Sequence, residues 1–249
     1  MIAILSLLSI FIWPVALVIM YFLKKRFPPS DKKYAAFRAL AYVLIFWAGR
    51  SLGTLAGSAA GSSKGAGAPP QNLFMVLFSL PIAIVWIIIA YRTIERASWK
   101  DLGWNFSHVK RELALGFLMG VAIFFIRRYE EIFTQNPTFH VNPVDALLSF
   151  LGGFGVASWQ EENIYRGYLQ PKLEAVAGKG KALLFQAGLF SIAHIGYYPF
   201  EASLQFLLGL TELAIVGIIL GYYRRRSNSL IAPFIAHGLL DFLPVFWRS

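Results

Sequence analysis

A succession of apolar stretches constrains the fold of this chain more than any other feature of its sequence. A helix of about 20 apolar residues spans the hydrocarbon core of a bilayer while satisfying its own backbone polar groups. The sequence therefore predicts an all-α fold, a polytopic transmembrane helical bundle of about eight apolar helices in a single membrane domain, 1–249. The apolar windows lie at about residues 2–23, 34–57, 72–91, 112–128, 143–160, 182–197, 203–223 and 229–247.

The composition agrees with a membrane protein and excludes several chemistries. Hydrophobic residues make up 57% of the chain and charged residues 14%, and cysteine is absent. Disulfides, thiolate catalysis and cysteine-based zinc sites are therefore excluded. The net charge of +10 is concentrated in turns between apolar windows, where anionic lipid headgroups explain it better than nucleic acid does. We expect a lipid bilayer, and no nucleic acid, as a partner.

Lysine and arginine are unevenly distributed between two sets of turns that alternate along the chain. One set holds 17 of these residues, whereas the other set together with the C-terminus holds 4. Because cytoplasmic loops carry the excess of basic residues, we expect a multi-pass protein of the cell membrane with both termini outside the cytoplasm. The turns rich in basic residues are 24–33, 91–111, 166–181 and 224–226.

The segment 143–177 is too long for one ordinary span. It contains Gly152, Gly153 and Gly155, and glycine is a poor helix former. We expect a break or bend near these glycines, followed by a second helix over about residues 158–177.

Ionisable side chains occur inside the apolar helical segments of the second half of the chain. Such groups are costly at membrane depth, face a bundle interior or a wet cavity, and are functional candidates by default. A carboxylate, imidazoles and a cation are sufficient to activate water and cleave an acyl bond. We therefore expect a buried polar active-site cavity. The residues are Glu161, Glu162, Arg166, His194, His237 and Asp241.

Spacing suggests how the first of these groups are arranged. Glu162 and Arg166 are separated by one helical turn and share a face, so they are expected to pair, while Glu161 points about 100° away toward a cavity. A solvated ion pair at a helix end is the alternative. Glu161 precedes the 178–180 turn by 17 residues and His194 follows it by 14, so an antiparallel hairpin brings both to similar depth.

His237 and Asp241 also lie one helical turn apart. They either hold two helices together or line the same cavity, with Asp241 fixing the tautomer and orientation of the imidazole. Spacing alone does not separate these two interpretations. The remaining histidines, His108 and His140, fall in turn-like polar sequence and are expected at the surface.

Three motifs, in order, resemble those of a known family. Glu161–Gly167 is similar to E-E-x-x-x-R-G, Phe190–His194 to F-x-x-x-H, and His237–Asp241 to H-x-x-x-N/D. Residues 143–247 therefore resemble the catalytic core of the type II CAAX prenyl endopeptidases and their bacterial relatives, called the Abi or CPBP family. The variable N-terminal helices of 1–142 are similar only in being apolar, apart from a short D-L-G element at Trp99–Gly103.

The resemblance implies an intramembrane endopeptidase of the glutamate type, acting on a membrane-associated peptide or protein. Glu161 and His194 would hold and deprotonate the attacking water, and His237 with Asp241 would stabilise the oxyanion. Asp241 stands where prenyl-processing members carry Asn, and an ionised Asp cannot donate a hydrogen bond. Either Asp241 is protonated or it only orients His237. The resemblance also implies two supporting residues, Glu162 and Arg166.

Two alternatives remain open at this stage. The side chains at 161, 194, 237 and 241 could bind zinc through nitrogen and oxygen, although no close-spaced zinc motif is present and we expect no cofactor. The chain could also be a non-catalytic membrane scaffold or a bacteriocin-immunity protein, as some bacterial relatives are. In that case the polar residues would only join helices and bind a partner.

Overall fold

Helices dominate the structure, a computed structural model that confirms the predicted all-α class. It describes residues 2–28, 30–61, 80–129, 138–139, 142–195 and 204–248. The chain forms two compact units, Met1–Ala97 and Ser98–Ser249. The single membrane domain stays a prediction. Beside the helices, Thr138–Phe139 (β1) pairs antiparallel with Trp247–Arg248 (β2).

Among its described residues, the first unit contains three helices: α1 (Ile2–Arg26), α2 (Lys32–Gly61) and α3 (Leu80–Ile94), the last of which is a π-helix from Ile88. A buried polar cluster joins them. Arg38 donates to Glu95 Oε2 at 2.8 Å, and the Tyr42 hydroxyl donates to Glu95 Oε1 at 2.7 Å. Both side chains of the ion pair are almost fully buried. The hydrogen bonds offset the cost of placing these charges away from water.

The second unit contains the remaining helices. A short helix, α4 (Trp99–Leu102), precedes α5 (Val109–Arg127), and a long helical run, α6, extends over Pro143–Ala177. The last three helices are α7 (Lys179–Ile192), α8 (Leu204–Ser227) and α9 (Ile231–Phe242), and a 3-10 turn continues α9 to Phe246.

Helix α6 passes through the predicted break without interruption. It takes π conformation over Leu151–Ser158, where the glycines lie, and again over Glu162–Leu169. A π-helical stretch keeps backbone hydrogen bonding while accommodating residues that disfavour the α-helix, and such stretches are frequent at functional sites. The interruption expected from the glycines is thus a change of helix type, since in apolar surroundings an open backbone would be costly.

Gly178 separates α6 from α7. Its φ of 79° lies in the left-handed region, which glycine adopts without strain. The two helices consequently form the expected antiparallel hairpin. Helix α8 packs against α7, and α9 packs against both α5 and the first π stretch of α6. Helices α6, α7 and α9 therefore meet, and these are the helices that carry the predicted site residues.

One helix within the described residues is long and apolar enough to cross a bilayer: α8, with a mean hydropathy of 2.0 over 18 residues. Leu80–Ile94 and Ile231–Phe246 are apolar but shorter. Helices occur at or near the predicted windows that the described residues cover. The number of membrane spans and the placement of the termini stay predictions.

Candidate active site

The first motif lies at the centre of the second unit. Glu161 ends a short α-helical turn, and the second π stretch of α6 begins at Glu162. Every residue from 160 to 170 is buried, because α4, α7 and α8 pack around this part of α6. Both carboxylates are therefore held away from bulk water.

Glu162 and Arg166 form the predicted ion pair. Arg166 Nη1 lies 2.9 Å from Glu162 Oε1, and neither side chain is exposed. The guanidinium carbon of Arg166 also lies 4.1 Å from the centroid of the Phe190 ring, in cation–π contact. A solvated pair at a helix end is excluded by this burial.

Two imidazoles approach one oxygen of Glu161. Oε2 of Glu161 lies 3.6 Å from His194 Nε2 and 3.8 Å from His237 Nε2. The common depth predicted for Glu161 and His194 is thereby confirmed. Both separations exceed direct hydrogen-bond length, and at such distances a water molecule commonly bridges polar groups.

His194 has a defined tautomer. Its Nδ1 lies 2.7 Å from the backbone oxygen of Phe190, one turn earlier at the end of α7. A carbonyl oxygen can only accept a hydrogen bond, so Nδ1 carries the proton. In the neutral ring, Nε2 is then an acceptor directed toward Glu161. The His194 side chain is 15% exposed, which leaves a route for water.

His237 is oriented by a residue that spacing did not predict. Its Nδ1 lies 2.8 Å from Glu162 Oε1, whereas Asp241 Oδ2 lies 3.7 Å from the opposite nitrogen, Nε2, outside hydrogen-bond range. The Asp241 side chain is 40% exposed, against 6% for His237. The carboxylate that orients His237 is therefore Glu162, because α9 presents Nδ1 to α6 while Asp241 lies toward the outside.

Sequence reasoning missed the contact between Glu162 and His237 because 75 residues separate them. The i,i+4 spacings pointed each residue to a neighbour on its own helix, Glu162 to Arg166 and His237 to Asp241. Only the packing of α6 against α9 reveals the longer contact. The two adjacent glutamates nevertheless differ in surroundings, as their 100° offset predicted.

An aromatic wall lies beside the site, formed by Phe154 of α6 and Phe234 and Phe242 of α9. Phe154 lies 5.8 Å from Phe234 and 6.4 Å from Phe242, between ring centroids. A side chain at Gly238 would overlap the Phe154 ring, so this ring packs against the α9 backbone at the residue that follows His237. The wall gives the site an apolar flank.

Of the two remaining histidines, the structure describes His108. His108 is exposed at the start of α5 and makes no capping hydrogen bond through its side chain, as expected of a surface residue. His140 lies outside the described residues. Over the described part of the chain, no group of three or more His, Asp or Glu side chains is arranged to hold a metal ion.

Comparison with known proteins places the three motifs in one family. No curated protein matches the chain, and no solved structure does. Residues 143–243 match the family described as Type II CAAX prenyl endopeptidase Rce1-like. The match contains all six predicted site residues and ends just after the last of them. The resemblance read from the motifs is thereby confirmed for residues 143–243, the part of the chain that matches this family.

Proposed function

We propose that this chain is an intramembrane endopeptidase that hydrolyses a peptide bond at or within the membrane, using a water molecule activated by Glu161 and His194. One observation carries the proposal. A single oxygen of a buried glutamate lies within 3.8 Å of the Nε2 atoms of two histidines, one on α9 and one in the turn that follows α7. The family match over residues 143–243 supports a protease as the reaction class.

Glu161 and His194 are placed to share the attacking water. In the tautomer fixed by Phe190, both Glu161 Oε2 and His194 Nε2 are acceptors, 3.6 Å apart. A water between them can donate one hydrogen bond to each, which leaves a lone pair directed at a carbonyl carbon. General-base catalysis of this kind contributes on the order of 10²–10⁴ to the rate.

His237 is placed to stabilise the oxyanion. Since Nδ1 donates to Glu162, a proton on Nε2 makes the ring an imidazolium, and the carboxylates of Glu161, Glu162 and Asp241 lie around it. The Nε2 proton is then available to the negative oxygen of the tetrahedral intermediate. One such donor lowers the barrier by about 3–4 kcal/mol.

The proton taken from water completes the reaction. The water oxygen bonds to the carbonyl carbon, and the proton passes to the Glu161–His194 pair. When the carbon–nitrogen bond breaks, the same pair returns that proton to the leaving amine. These steps consume one water molecule. They need no metal or cofactor, and the proposal includes neither.

Glu162 and Arg166 support the site without contacting the reacting atoms. Glu162 Oε1 accepts from both Arg166 Nη1 and His237 Nδ1. The guanidinium and the imidazole therefore share one carboxylate oxygen, and that carboxylate orients His237. Asp241, which is partly exposed beside Nε2, contributes a nearby negative charge.

The membrane location is part of the proposal. Helix α8 is a candidate span, and large apolar side chains are exposed on several helices of the second unit, including Leu118 at 62%, Ile126 at 77% and Leu207 at 58%. Exposed apolar surface of this kind fits lipid contact. We propose the bundle of about eight spans in one membrane domain, with both termini outside the cytoplasm and a membrane-associated peptide or protein as substrate.

Cleavage of a prenylated CAAX peptide by purified protein in lipid vesicles tests the proposal, using an internally quenched farnesylated peptide. Membrane proteomes of cells carrying the wild type or Glu161→Ala extend the search to other substrates. Glu161→Ala and His194→Ala should each abolish processing. Glu174→Ala, on the same helix as Glu161, and His108→Ala serve as matched controls. Full processing by either site variant would end the proposal and leave a scaffold role.

A further inference from the structure

The segment Ser98–Trp104, called here the tryptophan turn, is closed by its own hydrogen bonds. The Ser98 hydroxyl accepts from the Asp101 backbone N–H at 3.0 Å, and the Asp101 carboxylate accepts from the Ser98 N–H at 2.7 Å. Gly103 ends the helix with a φ of 98°, a conformation that a side chain would strain. The Trp104 N–H then closes back onto the Trp99 carbonyl at 2.8 Å. These bonds give the segment one defined shape.

The tryptophan turn contacts the helix that carries Glu161. The indole Nε1 of Trp104 donates to the Asn163 side-chain oxygen at 2.9 Å. Asn163 is fully buried and its amide donates to the Trp159 carbonyl at 2.7 Å. The ring of Trp159 lies 5.3 Å from that of Trp104 and 6.1 Å from that of Trp99. Asn163 directly follows Glu161 and Glu162 in α6, so the hydrogen bond from Trp104 holds α6 at the residue next to the site.

The same turn contacts the helix that carries His237. The Leu230 backbone N–H donates to the Gly103 carbonyl at 2.7 Å, at the residue that precedes α9. The Trp104 ring also lies 5.3–5.4 Å from its aromatic neighbours on α6 and α9, Trp159 and Phe234. Trp104 thus contacts α6 and α9 through one side chain.

We infer that the tryptophan turn sets the position of α6 relative to α9, and that Trp104 and Asn163 are positioning residues for the reaction proposed above. Neither residue touches the reacting atoms. Their effect is on the separation between Glu161 on α6 and His237 on α9, which is 3.8 Å. A displacement of about 1 Å between catalytic groups can lower the rate about 100-fold. This inference rests on the proposed function.

Variants that remove the bond between Trp104 and Asn163 test the inference, and Asn163→Leu also removes the amide's bond to the Trp159 carbonyl. Trp104→Phe keeps an aromatic ring but removes the indole N–H, and Asn163→Leu removes the acceptor. Each should lower kcat by about 10- to 100-fold with KM changed less than about twofold. Because both break one contact, the double variant should be no slower than the slower single variant. Phe106→Leu, at an exposed ring two residues beyond Trp104, is the matched control and should keep wild-type kcat.

A spectroscopic measurement checks the bond independently of activity. The chain has seven tryptophans, so protein labelled with ¹⁵N-tryptophan in micelles gives seven indole N–H signals. Trp104→Phe identifies its own signal by removing it, and Asn163→Leu should shift that same signal upfield without moving the others comparably. An unmoved signal would overturn the inferred bond, even where a variant is poorly active.

The kinetic outcomes separate the two proposals. Suppose that wild type cleaves the peptide and Trp104→Phe retains wild-type kcat, or that the losses of kcat in the two single variants multiply in the double variant. In either case the positioning role is wrong and the proposed function stands. If KM alone changes, the residues act on substrate binding and the inference is likewise overturned. If wild type hydrolyses neither the farnesylated peptide nor any membrane protein, the proposed function itself fails.

Discussion

His237 Nδ1 lies 2.8 Å from Glu162 Oε1, so the second of two adjacent glutamates orients an imidazole while the first faces the other nitrogen of the same ring. The division of labour follows from their position on one helix. Glu161 directs Oε2 at two Nε2 atoms, and Glu162 is held between Arg166 and His237. One carboxylate thus faces two imidazoles, and the other pairs with a guanidinium and an imidazole.

Glu162→Gln should destabilise the protein as well as slow it. The change leaves the buried Arg166 guanidinium without a negative partner, and breaking a buried ion pair costs about 3–5 kcal/mol. Thermal unfolding in detergent measures the loss. Arg127→Gln is the control, because the Arg127–Glu212 pair is 26% and 38% exposed and should contribute about 1 kcal/mol or less. Equal unfolding temperatures for the two variants would contradict the burial of the Glu162–Arg166 pair.

Asp241→Asn should retain activity, with kcat within about tenfold of the wild-type value, which corresponds to about 1.4 kcal/mol, because the loss of a nearby negative charge and the gain of a hydrogen-bond donor oppose each other. His237 keeps its orientation through Glu162, and the new amide can donate to the oxyanion where a carboxylate cannot. Initial rates on the quenched peptide at saturating concentration report kcat. A fall in kcat of more than tenfold would mean that Asp241, and not Glu162, orients the imidazole of His237.

His194→Ala should lower kcat by about 10²–10⁴, the range expected for loss of a general base. The side chain is 15% exposed and its ring lies 4.7 Å from that of Phe190, so thermal unfolding is measured beside activity to separate loss of the base from loss of stability. Single-turnover rates, measured beside His108→Ala, separate chemistry from binding. A rate for His194→Ala equal to that of the control would remove His194 from the mechanism.

Chelation should leave activity unchanged. The proposed mechanism places the proton transfers on Glu161 and His194 and requires no Lewis acid. Protein dialysed against a strong chelator should cleave at the untreated rate, with bound zinc below about one-tenth equivalent by elemental analysis, well under the full occupancy that a catalytic zinc site needs. Loss of activity that zinc restores would favour the metal-dependent alternative.

Local rules predicted the part of the site that each helix carries by itself. The one-turn spacing gave the Glu162–Arg166 pair, and the distance of Glu161 and His194 from the Gly178 turn gave their common depth. Both inferences need only helical geometry and one hairpin.

Features that depend on how helices pack were not accessible from the sequence. The contact of Glu162 with His237 needs the packing of α6 against α9, and the π conformation at the glycines keeps the helix continuous where their spacing predicted a break. The buried Arg38–Glu95 pair of the first unit was also missed. Arg38 lies in the window 34–57 and Glu95 lies in the turn 91–111, and no short spacing connects them.

Labelling of newly formed peptide C-termini tests the central claim most directly. Membrane proteins from cells that lack this chain are incubated in H₂¹⁸O with purified wild type or Glu161→Gln, and mass spectrometry identifies new C-termini. The mechanism predicts that wild type forms C-termini carrying one ¹⁸O at the cleaved bond and that Glu161→Gln forms them at least about 100-fold more slowly. Equal rates for the two proteins, or no labelled C-terminus with wild type, would contradict hydrolysis by water activated at Glu161.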